Sequence, residues 1–175
     1  MKLKTVSITF TALFTAIICI LSQISFATPF VPLTFQVFAI ALCGFTLSVK
    51  QSLSAVVTYL LLGSFGLPVF SNFKGGIQVI LGPTGGFLIG FVILALFCGI
   101  SKKITKPFLK ILLCGFGLLL CHLAGVLQFR LVTNNGFLAS FISASLTFIL
   151  KDALLLILAF FLSKFIANRL KGIKF

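Results

Sequence analysis

The chain has 175 residues, 60% of them hydrophobic and only 9% charged, with mean hydropathy +1.30 and 23 phenylalanines. No soluble domain of this length covers such a surface with polar groups, so the composition calls for a membrane. The formal net charge of +13 comes from 14 basic residues against a single acid, Asp152, which excludes paired-carboxylate catalysis and multi-carboxylate metal sites within this chain.

At roughly 20 apolar residues per spanning helix, the length admits about six spans and no second domain. We therefore read 1–175 as one all-α integral membrane domain, with transmembrane helices over about 5–26, 30–48, 52–70, 77–100, 108–128 and 137–166. The first begins after Met1-Lys-Leu-Lys and has the outline of a cleavable signal peptide ending near Ser25-Phe26-Ala27. Its run from Val6 to Phe26 is long for a signal core and suits an uncleaved helix. Inside it, Ala12-Leu-Phe-Thr-Ala16 is a small-xxx-small motif that lets two helix backbones approach closely.

Between the third and fourth spans lies Gly66–Phe91, which holds seven of the 15 glycines and two of the five prolines. Irregular backbone at membrane depth is tolerated only where it is buried in protein or lines a cavity, so this interruption points to a binding site. Its Ser-Asn-Phe-Lys-Gly-Gly stretch is a candidate lid. Gly82, Gly86 and Gly90 repeat the small-residue spacing at the start of the fourth span. Gly82-Pro-Thr-Gly-Gly-Phe superficially resembles a phosphate loop, but no Lys follows and no strand precedes it, so ATP hydrolysis is not expected here.

In the fifth span, His122 is expected to make a helix–helix hydrogen bond, and Arg130 to extend toward the headgroups. No Asp or Glu lies near His122 in sequence, so a hydrolytic triad is unsupported. Cys19, Cys43, Cys98, Cys114 and Cys121 all fall inside spans without a Cys-x-x-Cys pair and read as small buried hydrophobes. In the last span, Asp152 is expected to face a cavity and act there, because a charge near a helix centre costs about 2.5–3.5 kcal/mol. Neighbouring positions point about 100° apart, so Lys151 is not expected to pair with it. Its partner should be Lys74, a polar ligand or a residue of another helix.

The basic residues settle an orientation. Lys2, Lys4, Lys50, Lys102, Lys103, Lys106, Lys110, Lys164, Arg169, Lys171 and Lys174 fall on one side, Lys74 and Arg130 on the other. The positive-inside rule then puts both termini in the cytoplasm. The same distribution reads as topology and attraction to anionic membrane lipid, with no nucleic-acid partner.

Pro32-Leu-Thr-Phe-Gln36, Gly66-Leu-Pro-Val-Phe70, Gly75-Gly76 and Leu81-Gly-Pro-Thr-Gly-Gly-Phe-Leu-Ile-Gly-Phe91 together resemble BioY, the biotin-binding substrate component of energy-coupling factor (ECF) transporters. The resemblance is dense over 29–91 and thinner beyond. It implies a six-helix protein of the plasma membrane, not an enzyme, that captures biotin from outside. A transmembrane coupling subunit and two ATP-binding-cassette ATPases would drive uptake, the coupling subunit meeting Ala12 and Ala16. No cofactor is implied beyond the transported ligand.

Biotin offers a ureido ring, an apolar sulfur ring and a carboxylate, which suits a mostly apolar pocket with a few fixed polar groups. Asp152 suits the ureido N–H groups, and Asn72, Thr34 or Gln36 the ureido carbonyl. Backbone N–H groups of the turn through Gly82, Thr84, Gly85 and Gly86 suit an anion, and Lys74 or Lys151 its neutralisation. Gly75, Gly76 and Phe87 complete the expected site. The chain departs from the family where Leu150-Lys151-Asp152 replaces a Pro-Gly-Asp sequence, Leu155 takes the usual Lys position and Phe87 stands where Tyr is frequent. A component for another vitamin, or a self-sufficient secondary transporter, are the alternative readings.

Overall fold

The structure is a computed structural model that describes residues 2–26 and 31–169. Its helices in chain order are α1 (Lys2–Gln23), α2 (Gln36–Thr46), α3 (Val49–Ser64), α4 (Ile77–Leu81), α5 (Gly85–Ser101), α6 (Pro107–Thr133), α7 (Phe137–Phe141) and α8 (Thr147–Arg169). A short antiparallel pair, β1 (Ser25–Phe26) with β2 (Leu33–Thr34), joins α1 to α2, and a π turn (Ile142–Leu146) joins α7 to α8. The stretches Thr5–Gln23, Pro107–Thr133 and Phe137–Arg169 are long and apolar enough to cross a membrane, and Gln36–Thr46 and Gly85–Ser101 are shorter apolar helices.

Three expected spans change their limits for local reasons. The second becomes helical only at Gln36, because Pro32 lacks an N–H and Leu33–Thr34 pairs as a strand. The third starts at a capping box formed by Ser48 and Gln51 and ends at Ser64. Gly66 beyond it adopts φ +99°, a region open chiefly to glycine. The fourth breaks at Gly82–Thr84, between α4 and α5. Gln128 of α6 closes that break by donating to the carbonyls of Ile80 (2.6 Å) and Gly82 (2.8 Å). Freed backbone acceptors at membrane depth need such partners. The small residues expected at Ala27 and the basic residues Lys171 and Lys174 lie outside the described residues.

Packing inverts the pattern of a soluble bundle. On α6, Leu112, Phe116, Leu119, Leu123 and Leu127 form an exposed stripe at helical spacing, while Cys114, Gly117, Cys121, His122 and Gly125 are buried. Large apolar side chains face lipid and small ones allow the backbones together. A Cβ on Gly86 would meet the Ala124 carbonyl, and one on Gly90 would lie 2.8 Å from Cys121 Cα. Two members of the expected glycine spacing thus form the α5–α6 seam. Gly82 does not, facing the Gln78 carbonyl of its own segment at 3.0 Å.

Long-range contacts fix which ends lie together. Lys102 donates to the Thr46 and Leu47 carbonyls (2.8 and 3.0 Å), Gln51 donates to Ser7 (2.7 Å), and Phe45 packs edge-on against Phe160 (5.5 Å). The end of α2, the starts of α1, α3 and α6, and the last third of α8 therefore share one end. That end carries Lys50, Lys102, Lys103, Lys106, Lys110, Lys164 and Arg169. At the other end, Gln23 Nε2 donates to the Phe70 carbonyl (3.2 Å), and its Oε1 accepts from Phe73 N–H (2.9 Å). Lys74 and Arg130 belong to this basic-poor end.

Candidate functional site

At the basic-poor end a cavity opens among the start of α2, the loop after α3, the start of α5, and the facing stretches of α6 and α8. Its non-atom space, open mouth included, is about 610 Å³. Val31, Val37, Phe87, Leu88, Phe91 and Phe148 supply apolar walls. The α4–α5 break brings Thr84 and Phe87 to the wall. The Phe87 ring rests where a Cβ on Gly125 would sit, and meets His122 edge-on at 5.6 Å.

The polar end is built from four side chains on α6, the π turn and α8. Asp152 is 5% exposed and His122 3%. Lys151 Nζ lies 2.7 Å from Asp152 Oδ1 and donates to the Thr34 carbonyl at 2.8 Å. His122 Nε2 faces Asp152 Oδ2 at 3.3 Å, and its Nδ1 is 2.9 Å from Ser145 Oγ. The contact between Lys151 and Asp152 corrects the expectation that adjacent positions do not pair. The flexible four-carbon stem of Lys turns its ammonium toward the Thr34 carbonyl, and that path passes the carboxylate. The residue of another helix required by Asp152 is His122, whose bond to Ser145 is also the expected inter-element hydrogen bond.

The structure brings together Thr34, Gln36, Thr84, Phe87, Lys151 and Asp152 as lining residues. Thr34 Oγ1 donates to Gln36 Oε1 (2.9 Å), and Gln36 Nε2 donates to Tyr59 Oη (2.7 Å), so the Gln36 amide is oriented from two sides. Asn72, Lys74, Gly75, Gly76, Gly82, Gly85 and Gly86 lie outside this lining. Asn72 accepts from Ser25 Oγ at 2.8 Å, and Lys74 is exposed, bridging back to Phe70 through paired backbone bonds (2.9 and 3.2 Å). Phe70 and Ser71 are that loop's lining residues. Gly75 and Gly76 shape the loop: a Cβ on Gly75 would meet the Leu67 carbonyl, and Gly76 holds φ +97°. Leu155 is buried outside the lining.

Sequence reading gave His122 only a packing role and did not single out Ser145. Hydropathy carries no signal for two polar residues 23 positions apart that meet only when α6 packs against the π turn. A second groove runs outside the bundle, lined by Ser7, Thr11, Ala12, Thr15 and Ala16 of α1 with Ser54 and Thr58 of α3. Ala12 and Ala16 are exposed there.

A small helical membrane protein with an enclosed, mostly apolar cavity and one charged pair belongs to the class of membrane solute-binding components. The comparisons are specific: the BioY family model matches residues 1–172, and the chain belongs to the BioY family. A probable biotin transporter BioY of Pyrococcus horikoshii is 38% identical over 98% of this chain and 99% of its own. The biotin transporter BioY of Thermotoga maritima is 44% identical over 65% of this chain and 68% of its own. The crystal structure of the S-component for biotin from an ECF-type ABC transporter superposes with TM-score 0.84 at 27% identity, covering 94% of this chain and 92% of the other.

Proposed function

We propose that this chain captures biotin at the outer face of the plasma membrane as the substrate-specific component of an ECF-type transporter. The observation that carries this reading is the position of the charged pair. Lys151 and Asp152 sit in a cavity at the basic-poor end of the bundle, which the positive-inside rule makes the outer end. Both termini are then cytoplasmic, and six crossings follow if α4 with α5, and α7 with α8, each count as one.

The residue roles follow from what each group has left to give. Asp152 accepts the ureido N–H groups. Lys151 has three N–H donors; Thr34 takes one, and the ion contact with Asp152 leaves Oδ1 without a hydrogen bond, so donor capacity remains for the ureido carbonyl or the ligand carboxylate. Thr34, Gln36 and Thr84 complete the polar edge, and Phe87, Phe91 and Phe148 hold the sulfur ring and aliphatic chain. The loop through Asn72, Lys74, Gly75 and Gly76 covers the mouth, where the exposed Lys74 meets the carboxylate. The backbone turn at Gly82, Gly85 and Gly86 fixes that wall. The α1–α3 groove at Ala12 and Ala16 receives the transmembrane coupling subunit, and two ATP-binding-cassette ATPases supply the energy.

Equilibrium binding to the purified protein in detergent tests this reading, with biotin beside biotin methyl ester, desthiobiotin, riboflavin and thiamine. Tight biotin binding without partner subunits is expected, weakened for the methyl ester. A folded sample that prefers another vitamin overturns the ligand assignment.

A further inference from the structure

We propose that His122 is a positioning residue of the ligand site: a neutral imidazole, protonated on Nε2 and anchored at Nδ1 by Ser145, that orients the Asp152 carboxylate for the ligand. The proposal rests on the biotin-capture reading above and extends it to two residues, His122 and Ser145, with no other assigned task.

Geometry and charge balance supply the argument. His122 and Ser145 are buried, at 3% and 0% exposure. His122 Nε2 has no hydrogen-bond partner beyond its 3.3 Å approach to Asp152 Oδ2. A buried donor left this way is costly unless something uses it. The approach is long for a hydrogen bond, as such contacts often are before a ligand draws the site together. An ionised carboxylate only accepts, so the nitrogen facing it must carry the proton. Nδ1 then accepts from the Ser145 hydroxyl at 2.9 Å. Lys151 already balances Asp152 at 2.7 Å, so an imidazolium would leave an uncompensated positive charge in a largely apolar cavity. The neutral ring adds no charge to the Lys151–Asp152 pair and leaves Nδ1 as the acceptor for Ser145. Lys151 lies beside Oδ1 and His122 beside Oδ2, and Oδ1 has no hydrogen-bond partner, so the carboxylate is flanked at both oxygens and keeps acceptor capacity for the ligand. The π turn contributes by placing Ser145 against α6; such turns recur at functional sites.

His122 is the only histidine in the chain, so ¹⁵N-histidine labelling gives a spectrum of this one ring. In the full-length protein without ligand, the expected signature is a protonated Nε2 and a bare Nδ1, with the Nε2 resonance shifting on addition of biotin. A ring protonated on Nδ1, or on both nitrogens, overturns the proposal. Binding provides the second arm. His122→Gln keeps a donor near the Nε2 position and should hold biotin within about threefold of wild type, whereas His122→Phe should weaken it about tenfold. In an Asp152→Asn background His122→Phe should cost little more, because the ring acts through the carboxylate. Equal losses for Gln and Phe, or full additivity with Asp152→Asn, overturn the positioning role. A wild-type protein that binds no biotin instead overturns the functional reading, while the ligand-free spectrum still decides how His122 holds Asp152.

Discussion

The glycine-rich segment Gly66–Phe91 and the segment around the start of α8 divide the work of the site unequally. The first is the conspicuous one in sequence, yet it supplies mainly shape. Gly86 and Gly90 let α5 close on α6, Gly76 turns the loop, and only Phe70, Ser71, Val79, Thr84, Phe87, Leu88 and Phe91 reach the cavity. The second shows no unusual composition apart from Lys151-Asp152, yet it brings the charge, completed by Ser145 and by His122 across on α6. Composition marks where a backbone must be unusual; it does not mark where side chains converge.

Substitutions in the two regions should therefore fail differently. Gly86→Leu drives a side chain into the Ala124 carbonyl and should abolish the folded protein, since backbone cannot yield as a side-chain tip can; a monodisperse size-exclusion peak with a wild-type melting temperature would break the comparison. Asp152→Asn should leave a folded protein that binds biotin about 10- to 100-fold more weakly, the loss expected for one charge-assisted hydrogen bond. Unchanged affinity by isothermal titration would remove Asp152 from the site. Gln128→Leu strands the carbonyls of Ile80 and Gly82 and should cost about 1–3 kcal/mol of stability, seen as a lower melting temperature that bound biotin partly restores. Asn72→Ala should have the smallest effect, about threefold or less in affinity, because its side chain accepts from Ser25 in a single neutral hydrogen bond. A larger loss would show that the loop does more than cover the mouth.

Much was legible before any coordinates. Hydropathy alone required a membrane protein, and the motifs from Pro32 to Phe91 pointed to the family that the whole-chain match bears out. Asp152 stood out because an ion inside a membrane must be compensated. What escaped was local geometry. Helical spacing argued against a contact between Lys151 and Asp152, but spacing describes where side chains leave the backbone, and a long flexible stem ends elsewhere. The fourth span read as continuous because its hydropathy is continuous, although Pro83 and the glycines around it break the helix.

Sequence by itself determined the solvent, through apolar composition summed along the chain, and the family, through motifs that are contiguous in the chain from Pro32 to Phe91. Only the tertiary structure decided which polar groups meet. His122 and Ser145, separated by 23 positions, are joined by the packing of α6 against the π turn. The Asp152 carboxylate that His122 faces lies in a cavity whose walls come from separate stretches of chain. Such a meeting depends on distances across the fold, which no one-dimensional pattern encodes.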